Sequence, residues 1–168
     1  MKSIAALFWG ICIFKNGPDT IPADRIFTIA IIAVNALLNI AVQLTFGDAT
    51  VTVLSAVTLA VVSLAGTGGL VWFVMSLMSL TSRVAQTVTA VFGVDIIMTS
   101  ITGVAYAITG TIDDSIRFFA VTLLTLWSLA VYGFIFHRAM NIHIGFGIAI
   151  ALFVVVFSVA ITEAALTP

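Results

Sequence analysis

Long apolar stretches separated by brief polar breaks dominate the chain. They predict a transmembrane helix over Ile26 to Phe46, a second over Val51 to about Leu80, and a third over Val84 to about Gly110. A fourth runs from Phe118 to Phe136 and a fifth from Ile144 to about Leu166. Each is near or above the about 20 apolar residues needed to cross a bilayer core. The breaks are short, so each span is expected to run antiparallel to the last and to pack beside it.

The first apolar run, Ile4 to Phe14, is too short to cross. About 11 helical residues reach only roughly 16 Å. Ile4, Leu7, Phe8, Ile11 and Phe14 recur at helical spacing, and Trp9 suits the headgroup region. Residues 1–15 are therefore read as an amphipathic helix in the membrane interface. Residues 16–25, with Asn16-Gly17-Pro18 and Ile21-Pro22, form a linker. Residues 26–168 form the five-span domain. No small-x-small cleavage site follows the first run, which sets it apart from a secretory signal.

The second span is longer than it needs to be. About 30 residues would extend roughly 45 Å, against a core of about 30 Å. Gly66, Gly68 and Gly69 lie in its second half, so a bend or break is predicted there. The alternative is a helix that continues past the headgroups.

Composition agrees with this pattern. The 168 residues are 62% hydrophobic and 8% charged. A soluble domain is nearer 25% charged and cannot cover so much apolar surface. The net charge of −1 offers nucleic acid no basic face. Cys12 is the one cysteine, which excludes a disulfide framework and a CxxC pair. Five cations, Lys2, Lys15, Arg25, Arg83 and Arg138, fall on one side of a five-span chain. Asp48, Asp113, Asp114, Glu163 and Arg117 fall on the other. Basic residues mark the cytoplasmic side. The N-terminus is thus expected inside and the C-terminus outside, an arrangement that suits a bacterial inner membrane and also fits a eukaryotic one.

Asp95 breaks the apolar pattern near the middle of span three. A charge at that depth costs about 2.5–3.5 kcal/mol on insertion scales. It should face other helices, with Thr99 and Thr102 on its own helical face and apolar Val91 and Val88 in the other direction. Span one carries Asn35, Asn39 and Gln43 at i, i+4 and i+8. Amides facing lipid are costly, so this stripe also points inward. A hydrogen bond from Asn35 or Asn39 to Asp95 is the expectation. Span four adds Thr125, Ser128 and Tyr132, with Trp127 mid-span.

This polar seam has two readings. One is interhelical glue, worth about 0.6 kcal/mol per bond on average. The other is a pathway or pocket in which Asp95 binds a cation or relays a proton. Other chemistry is weaker. His137 and His143 read as interfacial residues, and Asp113-Asp114 as a solvated turn. The chain has neither GxSxG nor HExxH, and no enzyme activity, metal or cofactor is expected.

The run Leu126-Trp127-Ser128-Leu129-Ala130-Val131-Tyr132-Gly133, the His137-Arg138 turn and the Gly/Ala-rich last helix resemble the end of the five-span Yip-family membrane domain. The stretch from Phe92-Gly93 to Tyr106 is similar to that domain's middle helix. The resemblance implies five spans with the N-terminus in the cytoplasm, and carries no site residue. On these grounds the chain is expected to be a non-enzymatic scaffold or accessory subunit, lying in a bilayer and meeting other membrane chains or copies of itself. The alternative is a small channel or transporter component built around Asp95.

Overall fold

A computed structural model describes residues 4–47, 51–109 and 114–166. It contains six α-helices: α1 (Ile4–Cys12), α2 (Arg25–Phe46), α3 (Val53–Leu77), α4 (Val84–Thr109), α5 (Asp114–Met140) and α6 (Ile144–Leu166). Five of them, α2 to α6, are long and apolar enough to cross a membrane. Asp48 and Asp113, and the side chain of Asp114, fall outside what is described.

Local chemistry sets the helix ends. The Asp24 side chain accepts from the Ile26 amide at the start of α2, which satisfies one of the donors a helix start leaves unpaired. Thr52 and Ser55 cap α3 reciprocally. α5 is longer than its apolar run at both ends. His137 and Arg138 lie within its last turn, where positive charge meets the negative end of the helix dipole. Asn141 follows in the left-handed region at φ 54°, a conformation asparagine tolerates better than most residues.

α3 does not break at its glycines. It is helical through Gly66, Gly68 and Gly69. The physical reason is length. At 25 residues it extends about 37 Å, which a tilt below about 40° fits into a core of about 30 Å. Gly66 instead faces α6: a Cβ there would sit 3.7 Å from Ser158 Oγ and Ile161 Cγ2. Gly68 stands equally close to the Phe92 ring of α4.

The five long helices close into a ring in the order α2, α3, α6, α5, α4. Consecutive helices do not all pair closely. α3 leans mainly on α6, and its contact with α4 is slight. α4 is the most enclosed of the five, because α1, α2 and α5 all pack on it. α2 and α4 run parallel in a fixed register. Thr28 Oγ1 meets Thr89 Oγ1 at 2.8 Å, Asn35 reaches Phe92 and Asp95, Val42 touches Gly103, and the Phe46 ring stacks on Tyr106. α5 and α6 approach most closely at Gly133 and Gly147. A Cβ on Gly147 would run into the Gly133 carbonyl oxygen and lie 2.9 Å from the His137 backbone nitrogen.

The apolar stripe of α1 packs largely on protein. Phe8, Ile11 and Cys12 are buried, while Ile4, Trp9 and Phe14 are exposed. The Phe8 ring sits over Gly93 of α4, where no other residue leaves room for it, and stacks on Phe27. Trp127 of α5 donates its indole N–H to the Cys12 carbonyl at 3.1 Å and meets Trp9 edge-on. The amphipathic pattern predicts a face for lipid; much of that face covers α4 and α5 instead. Burial also pushes the Cys12 thiol up to about 11. Almost none of it is thiolate near neutral pH, and the thiolate is the nucleophile. Cys12 is therefore expected to resist maleimide at pH 7.5 until the protein is denatured. Rapid labelling of the folded protein, read by mass spectrometry, would contradict this placement of α1.

One end of the ring gathers the linker and two turns. Gln86 Nε2 donates to the Ile21 carbonyl at 3.0 Å. Arg83 Nη1 donates to the Ala139 carbonyl at 3.1 Å. Arg138 and Asp19 form an exposed ion pair at 3.5 Å, the kind that contributes little to stability.

Candidate functional site

The polar groups of three helices converge at Asp95. It lies 11 residues into α4, about 16 Å along the helix axis. Asn35 Nδ2 donates to Asp95 Oδ2 at 2.7 Å and also reaches the Phe92 carbonyl at 3.2 Å. Asn39 Nδ2 points to the same carboxylate oxygen at 3.4 Å, and to the Asn35 side-chain oxygen at 3.0 Å. From α5, the Tyr132 hydroxyl donates to Asp95 Oδ1 at 3.0 Å. Asn35 is 1% exposed. Helical spacing puts Asn35 and Asn39 one turn apart on one face, and the parallel register with α4 carries both to the depth of Asp95.

These groups line a cavity of about 280 Å³ inside the ring. All five long helices contribute to its wall. Asn35, Asn39 and Gln43 come from α2, Ser63, Leu64 and Thr67 from α3, and Val91, Phe92 and Asp95 from α4. α5 supplies Ser128, Tyr132 and Phe136, and α6 supplies Val154, Val155 and Ser158. A second cavity of about 180 Å³ includes Val42, Thr99, Thr102 and Thr125 in its wall. Both cavities share Asp95, Ser128 and Tyr132. The Asp95–Tyr132 hydrogen bond is thus part of the partition between them.

The structure separates the residues singled out from sequence. Asp95, Asn35 and Asn39 form one network, and Gln43 joins them in the larger cavity. Thr99 belongs to the second cavity. Gly66, Gly68 and Gly69 are outside both. Sequence reasoning missed the far side of the larger cavity, where Thr67 Oγ1 and Ser158 Oγ meet at 2.7 Å. Ser63 and Thr67 stand four residues apart in an apolar helix, and that spacing was the available signal.

Electrostatics sets what the site can do. The three donors to Asp95 are neutral, and among the described residues lining the larger cavity none is basic. A carboxylate in such surroundings attracts a cation or holds a proton. Among the described residues no cluster of three or more His, Cys, Asp or Glu side chains occurs. His137 Nδ1 pairs with the Ile142 carbonyl, and His143 Nδ1 accepts the Gly145 amide at 3.2 Å. Both histidines thus brace the turn between α5 and α6. No known protein family, curated protein or solved structure matches this chain.

Proposed function

We propose that the protein is a non-enzymatic integral membrane protein that admits a small polar or cationic solute to the centre of its helical ring and binds it at Asp95. The observation that carries this reading is the cavity. A bundle that serves only as a scaffold has no need of a polar-lined void with a carboxylate on its wall, and hydrogen-bonded glue is most economical when packed tight. The protein on this reading is a small channel or transporter component, or the solute-binding subunit of a larger membrane assembly.

The finer topology belongs to the same proposal. The N-terminus lies in the cytoplasm and the C-terminus outside, because Arg83, Arg138 and the linker before α2 share one end of the ring and basic residues favour the inner face. The exposed side of α1, with Ile4 and Trp9, rests in the interface on that side. A bacterial inner membrane and a Yip-like ancestry fit this arrangement.

Thiol accessibility tests the reading. In a Cys12→Ser background, Ser128→Cys places a thiol on the wall that both cavities share. Two methanethiosulfonates are compared, one bearing a trimethylammonium group and one a sulfonate. At an effective dielectric of about 20, two unit charges several ångströms apart attract by a few kcal/mol. The cationic reagent is therefore expected to react at least about tenfold faster, and Asp95→Asn to remove the preference. If neither reagent modifies Ser128→Cys in the folded protein, the cavity is not a solute site.

A further inference from the structure

Resting on the reading of the larger cavity as a solute site, we propose that its ligand is a small alkylated ammonium ion with a hydroxyl or similar polar group at its other end. Four features of the wall point to this class. The first is charge: Asp95 supplies a negative charge with only neutral donors about it. The second is size. A water-sized probe needs about 10–15 Å³, so a bare metal ion would leave most of the about 280 Å³ empty. A hydrated ion would find partners at Asn39, Gln43 and Ser63 but would set the rest of its water shell against Leu64, Val91 and Val154, which offer it no hydrogen bond. The third is aromatic lining. Phe92, Tyr132 and Phe136 border the same space, and aromatic rings attract weakly hydrated organic cations.

The fourth feature distinguishes an alkylated ammonium from a primary one. A primary ammonium brings three donors that each want an acceptor. Here Asp95 already accepts three hydrogen bonds, and the Asn35 side-chain oxygen accepts from Asn39. A quaternary nitrogen carries no N–H and makes no such demand. Its alkyl groups suit the apolar walls and its charge suits Asp95. At the far side, the hydroxyls of Thr67 and Ser158 can take a polar tail.

Choline is the probe, with 3,3-dimethylbutan-1-ol as its uncharged isostere and sodium as the inorganic cation. Binding is measured calorimetrically on the whole purified protein in detergent. Choline is expected to bind at least about tenfold more tightly than the isostere, and more tightly than sodium. Asp95→Asn should abolish the difference between choline and the isostere, and Phe136→Leu should weaken choline while leaving the carboxylate in place. Should Asp95→Asn fail to fold, the wild-type comparison and Phe136→Leu still decide the matter. Equal binding of choline and the isostere, or binding of sodium without choline, overturns the ligand class. If charge-selective labelling of Ser128→Cys persists in either of those cases, the cavity reading stands without this ligand. If that labelling fails as well, both fall together.

Discussion

Gly147→Ala is expected to unfold the half of the ring that holds the α5–α6 turn, at a cost of about 3 kcal/mol or more, the upper end for overpacking. The added methyl would meet the carbonyl oxygen of Gly133 and the backbone nitrogen of His137. Neither is the flexible tip of a side chain, so α5 and α6 must move apart. Separation would also pull on the turn that His137 braces through the Ile142 carbonyl. In lipid, close approach through small residues is a principal source of helix association. Gly69→Ala is the matched comparison: a Cβ there meets nothing within 4 Å. The measurement is thermal unfolding in detergent together with the yield of monodisperse protein. Equal behaviour of the two variants would show that the α5–α6 approach is not as close as described.

Asn35→Leu is expected to have the next largest effect, a loss of about 1–3 kcal/mol. Asn35 serves the Phe92 carbonyl and Asp95 together and orients Asn39. Leucine keeps the branch at Cγ and is the larger side chain, so the cost reports lost hydrogen bonds and close packing and not a cavity. The triple variant Asn35→Leu/Asp95→Leu/Tyr132→Phe should regain part of the loss, because it removes Asp95 together with its Asn35 and Tyr132 donors and so leaves fewer buried groups unpaired. Charge-selective labelling at Ser128→Cys should nevertheless vanish in the triple variant. Regained stability with lost selectivity separates the two readings of the seam: glue predicts only the first change, and a solute site predicts both. A triple variant that keeps its preference for the cationic reagent would remove Asp95 from the proposed function.

The seam shows how far local pattern reaches. Asn35, Asn39 and Gln43 stand out because amides are rare in apolar helices and a 3.6-residue repeat aligns them. Asp95 stands out because its charge is costly at mid-span. The Tyr132 hydroxyl was visible as part of a stripe on span four, but nothing in the sequence links it to the Asp95 oxygen it meets. α1 was read correctly as short and amphipathic, and its environment was not. The same apolar face can cover lipid or protein, and the gap over Gly93 that takes Phe8 exists only once α4 is placed.

The sequence by itself determined the number of long apolar helices and roughly where the turns lie. It also determined which positions are too polar for lipid. These follow from the free energy of placing each side chain in hydrocarbon, which is local to its own helix. The expected bond from Asn35 to Asp95, with alternating span directions, already set α2 beside and parallel to α4. Only the tertiary structure decided the other neighbours, and it carried α3 to α6. It left Gly66 to Gly69 inside an unbroken helix and brought Asp95, Tyr132 and the Thr67–Ser158 pair around one cavity. The reason is that lipid and protein interiors are nearly equally apolar, so hydrophobicity does not choose between partners. That choice rests on shape, on glycine contacts such as Gly133 with Gly147, and on a few hydrogen bonds between residues about 60 positions apart.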